Sequence, residues 1–139
     1  MLLRSWMATF VAVTLWINLS EIFRYFVFVM PMTRATLFMV PDVAPMNLPV
    51  FLVWGVWDTI LTVIAIWIYR LHEGRFGATR RAVVLSGTTC WALLFLLFWI
   101  AMLNMNLARL ETALIALPLA WVEMIVAALI AQWSARRSA

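Results

Sequence analysis

Four long apolar stretches, separated by short polar segments, dominate the pattern of this chain. A helix of about 20 apolar residues crosses a hydrocarbon core of about 30 Å. Strands with open edges would leave backbone groups unpaired in lipid, so we predict helices. The predicted spans are residues 6–29, 48–69, 82–107 and 112–133. The pattern therefore predicts an all-α polytopic membrane protein, with one domain (1–139) that folds as an antiparallel bundle of four transmembrane helices.

Composition supports this class and argues against several others. Hydrophobic residues make up 67% of the chain and charged residues 12%, whereas soluble domains are about half apolar and a quarter charged. The single His and single Cys argue against a zinc, haem or iron–sulfur site built from this chain alone. We therefore expect no metal and no cofactor. The basic residues are all Arg and cluster at span ends, which is typical of topology signals and not of nucleic-acid binding.

The arginines also predict an orientation. Seven of the ten lie near the N-terminus, in the segment 70–81 and at the C-terminus. By the positive-inside rule both termini then face the cytoplasm, and we expect the inner membrane of a bacterium. The first apolar stretch continues to residue 29 without a following Ala-x-Ala site, so we interpret it as a retained span and not as a signal peptide.

The connections differ in character. Segment 31–47 carries several prolines but is apolar, so we expect it to lie on the membrane surface or to cap the bundle. Segment 70–81 contains two glycines and predicts a basic turn. Segment 108–111 is short enough to predict a tight hairpin.

Helical periodicity gives each span one polar or small face, which we expect to face the other helices because packing drives helix association in lipid. The predicted inward faces are Thr14, Asn18, Glu21 and Tyr25; Gly55, Asp58, Thr59 and Thr62; Ser86, Cys90, Leu93, Leu97, Ala101 and Asn104; and Ala113, Ala116, Ala120, Glu123, Ala127 and Ala131.

Two carboxylates at equal depth are the main candidates for chemistry. Asp58 and Glu123 each lie about 15 Å below the start of their span, at 1.5 Å per residue. Ionisable groups at this depth are costly and normally face the bundle interior. If the two face each other, repulsion and desolvation favour a protonated acid or a shared proton, which suits proton coupling or acid catalysis. The alternative is that each acid bonds a neighbour and only fixes helix packing.

A second pair lies on the first span. Glu21 and Arg24 are three residues apart and can pair on one helix. They predict a gate at the outer mouth, an internal ion pair, or an Arg24 side chain that extends to the interface.

Aromatic residues surround the two acids. Trp54 and Trp57 flank Asp58, and Trp121 neighbours Glu123. Aromatic faces beside carboxylates can hold an organic cation, although contacts with lipid or other helices are the alternative. The predicted substrate and proton site is Asp58, Glu123, Thr59, Thr62, Trp54, Trp57 and Trp121.

The layout resembles the four-helix bundles of the sterol-isomerase and sigma-2-receptor type. Inner termini, a long first outer loop and acids on the first two spans, here Glu21 and Asp58, carry the resemblance. It covers the whole chain at the level of topology, without a diagnostic motif, and it implies a fold and not a function.

Three functions remain open from the sequence. The first is binding or transport of a small cationic or amphipathic molecule, with coupling to protons, by a homo-oligomer, since four spans rarely enclose a full pathway. The second is an accessory subunit of a larger membrane complex. The third is an intramembrane isomerase or cyclase acting on a lipid-soluble substrate, which a lipid-open cavity holding both acids would favour.

Overall fold

The computed structural model describes residues 2–136, and their side chains from residue 6 onward. This described part is helical and contains no strand. The first long helix consists of Leu2–Arg24, a π-helical segment Tyr25–Val29, and Met30–Thr36. The second is Leu48–Phe76, the third consists of Arg80–Trp91, a π-helical segment Ala92–Leu96, and Leu97–Asn104, and the fourth is Leu110–Arg136.

All four long helices are long and apolar enough to cross a membrane. Large apolar side chains are also exposed around the bundle, among them Leu19, Leu52, Leu97 and Leu129. Such a surface is costly in water but suits a lipid environment, because lipid tails do not penalise it. The predicted all-α fold with four membrane-length helices is thus confirmed.

Local sequence sets the helix ends. Asn47 caps the second helix, since its Oδ1 accepts a hydrogen bond from the Val50 N–H at 3.1 Å. That helix ends at Gly77, whose φ of 67° favours glycine. Thr79 then caps the third helix by accepting from the Ala82 N–H at 3.3 Å. The connection between the second and third helices is therefore only residues 77–79.

The predicted bounds were wrong at both longer connections. The first helix continues past Pro31 to Thr36, where we expected a loop from residue 31. The π-helical turn just before Pro31 bonds the Met30 N–H to the Tyr25 carbonyl, which shifts the backbone where a proline ring would meet a carbonyl. The second helix continues to Phe76, where we expected a turn from residue 70, and an Arg70–Glu73 pair at 2.8 Å supports the added turns.

The helices pack in chain order around the bundle, each against its neighbours, and the second and fourth also touch across the centre. Helices three and four approach closely at Gly87. A Cβ atom there would lie 2.9 Å from the backbone of Ile125. The missing side chain of Gly87 permits this approach.

Two halves of the bundle differ, and we name them by their connections. The tight half surrounds residues 77–79, where Gln132 and Arg136 of the fourth helix donate to backbone carbonyls of the turn. The open half surrounds residues 37–47. There the third helix, beyond Trp91, packs on the fourth helix through Trp99, and a cavity separates it from the second helix.

The predicted inward face of the fourth helix is confirmed, because all six of its residues are buried. The face of the second helix is right for Asp58 and Thr62 but wrong for Thr59, which is exposed. On the first helix, Val13 and Ile17 share the deepest positions with Glu21. Thr14, Asn18 and Tyr25 are only half-buried.

The face of the third helix is right as far as Cys90 and wrong beyond it. Leu93, Leu97, Ala101 and Asn104 are exposed, whereas Trp99 is buried. The π-helical segment Ala92–Leu96 adds a residue to one turn and so rotates every later side chain. A strict helical period cannot anticipate this rotation.

Candidate functional site: a buried charge cluster beside an aromatic cavity

Four ionisable side chains form one buried cluster inside the bundle. Glu21 and Arg24 come from the first helix, Asp58 from the second and Glu123 from the fourth. Their exposed fractions are 4%, 6%, 3% and 1%. Asp58 is within electrostatic range of Glu21 and Arg24, and Glu123 of all three others. The structure therefore joins the two sets of candidates that the sequence left separate.

Arg24 is the central cation of this charge cluster. Its Nη2 donates to Glu21 Oε1, and its Nη1 lies 3.1 Å from Glu123 Oε2 in an ion pair without hydrogen-bond geometry. Its guanidinium carbon lies 4.8 Å from the centre of the Phe95 ring. The structure places Glu21 and Arg24 in an ion pair, which is one of the three alternatives that the sequence left open. The alternative that Arg24 extends to the interface is wrong, because the side chain is buried among carboxylates.

Glu123 is held from the first helix. The Ser20 hydroxyl donates to its Oε2 at 3.0 Å, and Trp16 Nε1 donates to its backbone carbonyl at 2.9 Å. Its other oxygen, Oε1, has no hydrogen-bond partner in the described part of the chain. Sequence reasoning missed Ser20 and Trp16, since only the packing of the first helix on the fourth brings them to Glu123.

Asp58 is the least compensated member of the charge cluster. No cation of the described residues lies within 4 Å of its carboxyl group. Its Oδ1 is buried without a hydrogen-bond partner, as is the Thr62 hydroxyl one turn further along the same helix. A buried carboxyl in this situation is stabilised by a proton, a cation or a water molecule.

The charge cluster as a whole has more acid than base. Three carboxyl groups share a single guanidinium group, and all four are buried. A buried charge without a partner costs about 3–5 kcal/mol, as measured when one member of a buried ion pair is removed. The interior therefore favours one or two additional positive charges.

A cavity of about 360 Å³ lies next to the charge cluster, in the open half. Glu21 and Arg24 are its charged lining residues. Val53 and Phe98 at its edges are 69% and 56% exposed, so the cavity opens to the outside of the bundle between the second and third helices. The other lining residues are apolar or aromatic: Tyr25, Val29, Trp54, Trp57, Leu94, Phe95 and Trp99. We call this space the large cavity.

Both π-helical segments contribute to the wall of the large cavity. Tyr25 and Val29 belong to one, and Leu94 and Phe95 to the other. Single π-helical turns within α-helices are frequent at functional sites. Pro31 is a signal for the first segment in the sequence, and the second segment has no comparable signal.

A second space of about 40 Å³, the small cavity, lies between the first and second helices. Its polar lining residues are Asn18, Glu21, Tyr25 and Asp58. The rings of Tyr25 and Trp54 lie 5.0 Å apart, and both residues line both cavities. This aromatic pair is thus a common wall.

The structure brings together only some of the predicted site residues. Asp58 and Glu123 share the charge cluster with Thr62 beside them, and Trp54 and Trp57 line the large cavity. Trp121 and Thr59 lie elsewhere. Trp121 is 40% exposed and donates to the Thr88 hydroxyl at 3.0 Å, while the Thr59 hydroxyl donates to the Gly55 carbonyl at 2.8 Å.

The large cavity does not contain both central acids. Neither Asp58 nor Glu123 is among its lining residues, so the large cavity is not the lipid-open cavity holding both acids that would favour an isomerase or cyclase. The described residues also contain no group of three His, Cys, Asp or Glu side chains placed to hold a metal ion.

Comparison with protein-family models, curated proteins and solved structures finds no match to this chain.

Proposed function

We propose that this chain is a small integral membrane protein that binds an amphipathic organic cation in the large cavity and transports it in exchange for a proton held by the charge cluster. The observation that carries the proposal is the excess of buried carboxyl groups at the charged end of an aromatic, lipid-open cavity.

Electrostatics supports a cation over an anion. Arg24 is the basic side chain at the cavity, and it is already engaged by Glu21 and Glu123. An anion would add to three carboxyl groups that share one guanidinium group. A cation near Glu21 instead compensates charge that the bundle has buried, and either a proton or a ligand can do so. Competition between them is the physical basis of exchange.

The wall of the large cavity supports an amphipathic ligand. Trp54, Trp57 and Trp99 offer ring faces that attract cations and large apolar surfaces that exclude water. Pockets for small ligands measure about 300–1,000 Å³, a range that includes this cavity. Its opening between two helices gives a ligand dissolved in the bilayer a lateral entrance.

Binding is tested with two ions of the same shape and opposite charge, tetraphenylphosphonium and tetraphenylborate. Purified protein in neutral detergent is titrated with each, and tryptophan fluorescence reports occupancy. We expect saturable binding of the phosphonium and an affinity loss of at least about tenfold in Glu21→Gln, equivalent to 1.4 kcal/mol. Glu73→Gln is the matched control, since Glu73 pairs with Arg70 in the tight half. Equal affinity for the two ions would contradict the proposal.

Transport is tested separately in liposomes with an imposed pH gradient. We expect phosphonium flux that follows the proton gradient in the native protein and is lost in Asp58→Asn and Glu123→Gln. Unchanged flux in both variants would remove proton exchange and leave a binding protein.

We also propose an antiparallel bundle with both termini in the cytoplasm of a bacterial cell. Single-cysteine variants at two exposed alanines test this orientation, with Cys90 replaced by Ala because it is buried and is the one native cysteine. Ala35→Cys should react with an impermeant maleimide on intact cells, whereas Ala78→Cys should react only after permeabilisation. The reverse pattern would invert the topology. A homo-oligomer is expected, because one four-helix unit offers a cavity and no complete path.

A further inference from the structure

The small cavity lies on the other side of the Tyr25–Trp54 wall from the large cavity. Its volume of about 40 Å³ is enough for about two water molecules, since one ordered water molecule needs a cavity of about 10–15 Å³. Asn18, Glu21 and Asp58 supply the polar partners that an ordered water molecule requires. The space therefore fits water and is too small for an organic cation.

Asp58 belongs to this small cavity and not to the large one. The residue is 3% exposed, and its Oδ1 has no hydrogen-bond partner in the described part of the chain. Buried acceptors in folded proteins are nearly always paired, with ordered water as the usual partner where protein offers none. An unpartnered carboxyl oxygen on a water-sized space indicates a bound water molecule.

Charged groups from the neighbouring helices surround Asp58. Glu21 and Arg24 of the first helix and Glu123 of the fourth lie within electrostatic range of Asp58, and Cys90 of the third helix lies within that range of Glu123. Arg24 pairs with the two glutamates. Among the carboxyl groups of the charge cluster, Asp58 therefore combines two features. It has no ion-pair partner, and its unpartnered oxygen lies at a space of the size of a water molecule.

The small cavity lies toward the connection 37–47. Met46 of that connection and Phe51 of the first turns of the second helix line it. Tyr25 and Trp54 line both this space and the space for the organic cation, and Glu21 lies between the two with them. A proton and a ligand therefore have two different routes to one charge cluster.

We propose that the small cavity is a water-binding site through which Asp58 gains and loses its proton, separated by Tyr25 and Trp54 from the cavity that takes the organic cation. This inference rests on the proposed function, because it gives the proton route for the same charge cluster.

Infrared spectroscopy of the protein in lipid vesicles tests the proposal, since a protonated carboxyl group has its own C=O band, which shifts in D₂O. We expect Asp58→Asn to remove a band that Glu73→Gln leaves in place. In the native protein we expect this band to shift promptly after transfer into D₂O. In Gly55→Ala and Gly55→Leu the shift should be slower by more than about tenfold, since exchange then waits for local opening.

Gly55 suits this test because it lines the small cavity and a Cβ atom there would meet nothing within 4 Å. The alanine variant should therefore fold even if the leucine variant does not. Gly74→Ala, a helical glycine equally free of neighbours and remote from both cavities, is the matched control and should exchange at the native rate.

Two results would overturn the proposal: no loss of a carboxyl band in Asp58→Asn, or native exchange rates in both Gly55 variants. Phosphonium affinity distinguishes this failure from failure of the proposed function. Gly55 does not line the large cavity, so Gly55→Ala should bind the phosphonium normally. If the native protein does not bind the phosphonium but its Asp58 band still shifts promptly in D₂O, the proposed function fails and the water-binding site does not.

Discussion

The tight half and the open half of the bundle differ in how closely their helices approach. In the tight half, the third and fourth helices approach so closely at Gly87 that an added Cβ atom would lie 2.9 Å from the backbone of Ile125. In the open half, the second and third helices are separated by a cavity of about 360 Å³. The charge cluster lies where the two meet, since Glu21 and Arg24 line the cavity and Glu123 lies on the helix that holds both halves together.

This difference shows how a short chain builds both a scaffold and a cavity. Glycine and alanine stripes permit backbone contact, and van der Waals packing then stabilises the helices in lipid. Aromatic side chains and π-helical turns keep the helices apart in the other half. A stable tight half allows the open half to keep buried charge and empty space, both of which cost free energy.

The largest expected effect comes from removing the cation of the charge cluster. Arg24→Met should destabilise the protein by about 3–5 kcal/mol, because two carboxylates lose their partner while buried. Arg70→Met is the control. Its pair with Glu73 is 40% exposed at the arginine and screened by solvent, so the loss should stay below about 1 kcal/mol. Unfolding in mixed micelles with increasing dodecyl sulfate, followed by circular dichroism, measures both. Equal losses would mean that the cluster is not buried as described.

A smaller loss is expected from closing the approach between the third and fourth helices. Gly87→Ala should cost about 1–3 kcal/mol, since the new methyl group meets backbone atoms that cannot move independently. Gly74→Ala meets no atom within 4 Å and should be neutral or stabilising by about 0.4–1 kcal/mol. The same unfolding assay compares them. A tolerated Gly87→Ala would show that the tight half is looser than the structure has it.

A loss of about 0.5–1.5 kcal/mol is expected from Trp91→Phe, which removes one partly buried hydrogen bond. Trp91 Nε1 donates to the Leu117 carbonyl at 2.9 Å, where the third helix leaves the tight half. Trp121→Phe is the control, because its indole is 40% exposed and the Thr88 hydroxyl that it leaves can bond a backbone carbonyl of its own helix. Its effect should stay within about 0.5 kcal/mol. Equal losses in both variants would mean that the Trp91–Leu117 bond does not stabilise the contact between the third and fourth helices.

The smallest change in stability is expected in the open half. Val53→Phe should alter the free energy of unfolding by less than about 0.5 kcal/mol, since Val53 is largely exposed at the edge of the large cavity. It should nevertheless weaken phosphonium binding, because the added ring fills the entrance. Val63→Phe, exposed on the same helix and outside both cavities, should change neither quantity. Native binding by Val53→Phe would place the ligand elsewhere.

Sequence reasoning succeeded where the helical period is unbroken. The fourth helix has no π-helical segment, and all six of its predicted inward residues are buried. The second helix is also unbroken, and Asp58 and Thr62 are buried as predicted, but Thr59 is exposed. Burial of Glu21, Asp58 and Glu123 also followed from the cost of ionisable groups in lipid. Burial of Arg24 did not, because the sequence left open that its side chain extends to the interface.

The same reasoning failed where geometry depends on neighbours. The π-helical turn at Ala92–Leu96 rotates the rest of the third helix, so Leu97 is exposed and Trp99 is buried. Trp121 is close to Glu123 in the sequence, but its side chain does not join the charge cluster in the structure. Its indole is 40% exposed and bonds Thr88, away from the charge cluster. Ser20 and Trp16 contact Glu123 across two helices that are a hundred residues apart in sequence.

The amino-acid sequence by itself determined four apolar helices of membrane length and the burial of Glu21, Asp58 and Glu123. Hydrophobic length and the cost of charge in lipid are properties of each segment alone. Only the tertiary structure decided that Arg24 joins Glu21 to Glu123 while Asp58 faces a separate, water-sized space. Those relations depend on helix rotation and separation, which are set by contacts between segments far apart in the chain.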